Sequence, residues 1–120
     1  MSRILIIEDN ALNRALLLAV LKLDGFEILT AEDGLLGVEV ALREQPDLIL
    51  MDVMLPGLNG YEATRRLKAH GDTHRIPIIA ITSNTAPAER ERALDAGCDG
   101  YIAKPIDTRS LARQIRLFLH

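Results

Sequence analysis

Five residues of this sequence could act together chemically: Glu8, Asp9, Asp52, Thr82 and Lys104, with Asn10, Ser83 and Pro105 beside them. Each follows a short apolar run of the kind that forms a strand. Three carboxylates brought to one place repel, and burial raises the cost. A divalent cation resolves the conflict. Mg²⁺ takes hard oxygen ligands, usually one or two carboxylates, and leaves its other positions to water and phosphate oxygens. A hydroxyl from Thr82 and an ammonium from Lys104, facing a metal-bound carboxylate, form a receptacle for a group with three anionic oxygens. Phosphoryl transfer needs positioning and charge neutralisation more than covalent chemistry from the protein. Mg²⁺ would hold one phosphoryl oxygen, Lys104 another and Thr82 the third, with Asp52 as the nucleophile that forms an acyl phosphate. Taken singly, each residue has a plainer use: Asp9 or Asn10 as a helix cap, Asp52 as a turn starter, Thr82 as a strand-end hydroxyl, Lys104 as a surface lysine. Together they do not, because a cap does not require three acids at one edge.

The elements that must position them alternate between short β-rich runs and helical periods. Strands are expected at Arg3–Ile7, Phe26–Thr30, Asp47–Met51, Ile76–Ile81 (with Pro77 tolerated near its start) and Tyr101–Ala103. Helices are expected at Ala11–Asp24, Asp33–Glu44, Gly60–Ala69, Ala86–Ala96 and from an Asp107 cap to Leu119. On the first helix Leu12, Ala15, Leu16, Ala19 and Leu23 are expected to face the core. Asn13, Leu17, Val20 and Leu21 then form an outer stripe beside the site, suited to a partner, the alternative being that Leu17 and Leu21 pack against the last helix. Three strands are continuous apolar runs, which indicates burial on both faces and hence a parallel sheet between helices. Five β-α units give an α/β fold, a doubly wound five-stranded parallel sheet with helices on both faces, flavodoxin-like. Ligands bind such sheets beyond the carboxyl ends of the strands. The polar residues above all fall at that edge, although they are far apart in sequence.

The chain has 120 residues, a size typical of one domain, and residues 1–120 are read as one. The formal net charge of -3 opposes non-specific binding to nucleic acid or anionic membrane. No run is long and apolar enough to span a bilayer, and Met1-Ser2-Arg3 leads into a strand with no signal peptide evident. Cys98 is the single cysteine, so no intramolecular disulfide can form. A reducing cytoplasm fits these features.

The run Glu8-Asp9-Asn10, the segment from Asp52 through Pro56 to Gly60, the Thr82-Ser83 pair and Lys104-Pro105 together resemble the receiver domain of two-component response regulators. The resemblance spans essentially the whole chain. It implies a chemotaxis-regulator (CheY-like) fold with Asp52 as phosphoacceptor and Mg²⁺ as cofactor. Metal ligands would be Glu8 (directly or through water), Asp9, Asp52 and the backbone carbonyl of Met54. Thr82 and Tyr101 match the family's switch pair, Lys104 its lysine, and the Lys104-Pro105 bond resembles its cis peptide. The implied partners are a histidine kinase or histidine phosphotransfer protein, a downstream protein effector and a possible homodimer, with no direct nucleic-acid or membrane contact. Asn13 near the acidic pair, and Ala96-Gly97-Cys98-Asp99-Gly100-Tyr101, look like stand-alone regulators of the DivK type and equally like receivers of hybrid histidine kinases. No output domain is expected, and the chain is read as a phosphoacceptor that assists its own phosphorylation and dephosphorylation, not as an enzyme.

A phosphatase of the haloacid-dehalogenase type uses a similar set but wants an acid two positions after the nucleophile, where Met54 stands. A flavin-mononucleotide carrier would need a phosphate-cradling loop after the first strand, where Glu8-Asp9 repel phosphate. Cys98 reads as a small buried hydrophobe, His70 and His74 as solvated, and Glu89-Arg90-Glu91-Arg92 as a wet helix face. Arg109, Arg113 and Arg116 line one side of the last helix, opposite Leu111, Ile115 and Phe118.

Overall fold

The structure is a computed structural model that describes residues 2–55, 57–84 and 86–119. Pro56 lies outside the described residues. Strands β1 (Arg3–Ile7), β2 (Glu27–Ala31), β3 (Leu48–Asp52), β4 (Ile78–Thr82) and β5 (Gly100–Ala103) alternate with helices α1 (Ala11–Leu23), α2 (Gly34–Glu44), α3 (Gly60–Ala69), α4 (Pro87–Ala96) and α5 (Leu111–Arg116). All strand pairs are parallel, in the order β2-β1-β3-β4-β5. This is the flavodoxin-like order expected of a doubly wound sheet.

Side chains alternate across a strand, so a continuous apolar run feeds two cores at once. Leu5 and Ile7 of β1, Ile49 and Met51 of β3, and Ile78 and Ala80 of β4 pack with Ala41, Leu67 and Ala93 on the side of α2, α3 and α4. Ile4, Ile6, Leu48, Leu50, Ile79 and Ile81 pack with Leu17, Leu21, Leu111 and Ile115 on the side of α1 and α5. Gly60 opens α3 against the end of β3. A Cβ there would stand 2.6 Å from both the Asp52 carbonyl oxygen and the Val53 Cα, so only glycine permits that close approach.

The parallel register places the polar residues. Ile7 pairs with Met51, Asp52 with Ile81, and Thr82 with Ala103. Glu8, Asp52, Thr82 and Lys104 therefore leave neighbouring strands at one edge.

Three expectations are corrected. The core face of α1 is the reverse of the one expected: Leu17 (3 %) and Leu21 (0 %) are buried, while Leu12 (81 %), Leu16 (54 %) and Leu23 (89 %) stand in solvent, as do Ala15 and Ala19. Asp107 does not cap the last helix. Its carboxylate accepts the Arg109 N–H at 3.0 Å and closes a local turn, so the helix starts only at Leu111. That helix ends at Arg116, because Phe118 N–H turns back to the Ile115 carbonyl at 3.0 Å. Finally, β4 begins after Pro77, whose carbonyl still accepts the Ile49 N–H at 2.9 Å.

Candidate functional site

Glu8, Asp9 and Asp52 each offer a carboxylate oxygen to a cluster whose atoms all lie within 4.8 Å of one another. It is the one such group of metal-ligating side chains among the described residues. Glu8 and Asp52 are buried and Asp9 is exposed, so the cluster opens to solvent on the Asp9 side. Asn10 caps α1 by accepting the Asn13 N–H at 2.9 Å, which turns the chain sharply after the two acids. Asp52 ends β3, and its Oδ1 accepts the Met54 N–H at 2.9 Å. Lys104, just past β5 and joined to Pro105 by a cis peptide bond, reaches across with Nζ 3.1 Å from Asp52 Oδ2 and 3.7 Å from Glu8 Oε1.

One ammonium does not balance three acids. Burial, with the Asp52 carboxylate beside it, pushes the Glu8 carboxyl up to about 7. Burial acts on Asp52 in the same direction, but contact with Glu8, the Met54 N–H and the Lys104 ammonium outweigh it and hold Asp52 below the ordinary aspartate value. Glu8 Oε2 is buried with no hydrogen-bond partner among the described residues. A buried carboxylate oxygen without a donor is costly, and a cation among these three acids would satisfy it. The donor set, all oxygen with one solvent-facing side, suits Mg²⁺.

Thr82 and Tyr101 meet through the backbone of one residue, Asn84. The buried Thr82 Oγ1 accepts the Asn84 N–H at 3.1 Å, and the Tyr101 hydroxyl donates to the Asn84 carbonyl. Arg90 lies 5.4 Å above the Tyr101 ring. The Tyr61 hydroxyl in turn donates to Glu89, and Arg92 stands 4.7 Å over the Tyr61 ring. The run Glu89–Arg92 is thus more than the wet helix face expected. Three of its four residues grip the two tyrosines. A mixed-charge run carries no sequence signal for this, because the aromatic partners come from other elements.

Several remaining residues lie as expected. Cys98 is buried beside the Thr64 hydroxyl, at 3.8 Å, and burial pushes its thiol up. His70 and His74 are exposed, and their imidazoles are bonded within their loop, to Asp72 N–H and the Gly71 carbonyl. Arg109 and Arg113 are exposed, opposite the buried Leu111 and Ile115, whereas Arg116 is not merely solvated: it donates to the Asp24 carbonyl at 3.1 Å and lies 5.1 Å over the Phe26 ring. A groove of about 200 Å³ is lined by Leu16 and Leu17 of α1, by Pro105 and Ile106 of the loop after β5, and by Glu8 and Lys104 of the site. Among the described residues no helix is long and apolar enough to cross a membrane.

The family model for the response regulator receiver domain matches residues 4–116. The chain belongs to this family. It is 38 % identical over 119 residues to protein PilH of Pseudomonas aeruginosa, covering 99 % of this chain and 98 % of the relative. It is 36 % identical over 116 residues to the polar-differentiation response regulator DivK of Brucella anthropi, covering 97 % and 94 %. Among solved structures it resembles the receiver domain of sensor histidine kinase PA1611 from Pseudomonas aeruginosa, which has a magnesium ion coordinated in its active-site cleft (39 % identity, TM-score 0.91, covering 98 % and 96 %). It also resembles chemotaxis protein CheY4 of Vibrio cholerae (25 % identity, TM-score 0.94, covering 99 % of each chain). The receiver is thus similar both to regulators of the DivK kind and to the receiver of a sensor kinase, the two likenesses its sequence suggested.

Proposed function

We propose that this receiver takes a phosphoryl group on Asp52, from the phosphohistidine of a histidine kinase or histidine phosphotransfer protein, and that the modified state is read by a downstream protein. The observation that carries the proposal is the convergence of Glu8, Asp9 and Asp52 within 4.8 Å, with the Lys104 ammonium 3.1 Å from Asp52. Asp52 supplies the attacking carboxylate oxygen. Lys104, already paired with Asp52 and Glu8, is placed to hold an oxygen of the incoming group. Thr82 offers a hydroxyl for another. Mg²⁺, held by Glu8, Asp9, Asp52 and the Met54 carbonyl, would neutralise the charge that accumulates on the phosphoryl oxygens. Two positions past the acceptor stands Met54, which can neither give nor take a proton. This supports a phosphoacceptor that assists its own turnover rather than an esterase. A cytoplasmic setting accords with such donors.

The test is direct. Incubated with acetyl phosphate and Mg²⁺, the protein is expected to gain one acyl phosphate per chain, stable in acid and labile in base. With a chelator present it is expected to gain none. Incorporation at the same rate without divalent metal would overturn the reading.

The same geometry supports a switch. When the Thr82 hydroxyl turns toward a phosphoryl oxygen it releases the Asn84 N–H, and Asn84 also holds the Tyr101 hydroxyl through its carbonyl. A local bond change is thereby passed to a partly exposed aromatic ring. Thr82→Ala is expected to remain phosphorylatable by acetyl phosphate, yet to leave Tyr101 in one environment with and without a beryllofluoride mimic, whereas wild type shifts it. NMR of the Tyr101 ring is the readout. Equal shifts in both proteins would exclude Thr82 as the trigger.

A further inference from the structure

The Arg14 side chain reaches two consecutive carbonyls of the loop that carries two of the site's acids. Its guanidinium Nη1 donates to the Glu8 carbonyl at 2.8 Å and reaches the Asp9 carbonyl at 3.5 Å. Its backbone N–H makes the ordinary first-turn bond of α1, to the Asn10 carbonyl at 2.9 Å. The loop is otherwise fixed at its start by the Glu8 N–H bonded to the Ala31 carbonyl at 3.0 Å, and at its end by the Asn10 cap. Among the described residues no carboxylate lies in ion-pair range of Arg14, although it sits next to a triple-acid cluster. The half-buried guanidinium is therefore bonded to the back of the loop, not to the acids themselves.

We propose that Arg14 is a positioning residue for the metal site, which holds Glu8 and Asp9 in their metal-binding arrangement before the metal arrives. The inference rests on the reading that Glu8, Asp9 and Asp52 take Mg²⁺. Two like carboxylates on adjacent residues push their loop apart when no cation is present. A permanently charged, pre-organised guanidinium, whose Nη1 is shared between the Glu8 and Asp9 carbonyls, resists that opening, and an ammonium on a freely rotating stem does so less well. Pre-organisation of this kind lowers the reorganisation that accompanies ligand binding. A plain charge effect has the opposite sign. Loss of a cation near the acids would strengthen the pull on Mg²⁺, and salt would screen that gain.

The experiment is a Mg²⁺ titration of the wild type, Arg14→Met and Arg14→Lys, followed by amide NMR shifts at low and high salt, with thermal unfolding of the metal-free proteins alongside. Arg14→Met is expected to bind Mg²⁺ about tenfold more weakly, the lower end of what losing a partner that orients a metal ligand does. The loss should persist at high salt. Arg14→Lys, which keeps the charge and one bond, is expected to recover part of it. Unchanged or tighter binding in a folded Arg14→Met overturns the inference. So does a lowered unfolding temperature with unaltered affinity, which would mark Arg14 as a general fold contact. If Arg14→Met does not fold, Arg14→Lys decides: weakened binding supports the inference and wild-type affinity overturns it. A wild type that fails to bind Mg²⁺ overturns the site reading itself and this inference with it, and that result is distinct from a difference among variants.

Discussion

Asp52→Asn is expected to lose phosphoryl incorporation completely while keeping its fold. The replacement has nearly the same shape, and an amide oxygen can still accept the Met54 N–H that now reaches Oδ1 at 2.9 Å. Lys104 retains Glu8 as a partner at 3.7 Å. What disappears is the anionic oxygen that attacks phosphorus, because a neutral amide is not a competent nucleophile. The loss is therefore one of chemistry, not of structure. Mass spectrometry after incubation with acetyl phosphate, paired with circular dichroism of the same sample, separates the two. A folded Asp52→Asn variant that carried label at the wild-type level would place the acceptor elsewhere, and Glu8 and Asp9 would be the next carboxylates to replace.

How legible the site was depended on where each residue sits relative to the sheet. Glu8, Asp52, Thr82 and Lys104 are reached by counting to the end of an apolar run, and a parallel sheet must bring those ends to one edge. No knowledge of distance was needed, since Ile7 opposite Met51 and Asp52 opposite Ile81 follow once the strands lie in register. The sequence could not show what crosses between elements. Arg14 reads as one more polar residue on a helix until its guanidinium is found under the Glu8 carbonyl at 2.8 Å. Glu89 and Arg92 read as solvated until Tyr61 appears between them. Asp107 failed for a local reason: an aspartate can cap a helix or close a two-residue turn with the same oxygen, and the composition favours neither.

The α1 error has a different origin, and it yields the second large expected effect. The helix carries two apolar stripes, Leu12-Ala15-Leu16-Ala19-Leu23 and Leu17-Val20-Leu21, and helical period alone does not say which one meets the sheet. The packing decides it: Leu17 and Leu21 lie in the core with Ile4, Ile6 and Ile115, and the longer stripe faces solvent. Leu17→Asp is therefore expected to unfold the receiver. Removing a buried leucine side chain costs about 2–5 kcal/mol before any charge is counted, a buried unpaired carboxylate adds to that, and domains of this kind have only roughly 5–15 kcal/mol in total. Leu12→Asp, on a side chain 81 % exposed, is expected to leave the unfolding transition and the acetyl-phosphate reaction as in wild type. Leu12, Ala15, Leu16 and Ala19 recur at the three-and-four spacing with which one helix packs on another, and Leu16 also lines the groove that Glu8 and Lys104 share. A donor histidine presented on a helical partner would approach Asp52 over this stripe. Leu12→Asp and Leu16→Asp should thus slow transfer from the cognate kinase by about tenfold or more, the equivalent of about 1.4 kcal/mol of docking energy, with the small-donor reaction untouched. Transfer kinetics from a phosphorylated kinase, set against labelling by acetyl phosphate, give the ratio. A folded Leu17→Asp would contradict this packing of α1, and full kinase transfer in Leu12→Asp and Leu16→Asp would move the docking face off the helix.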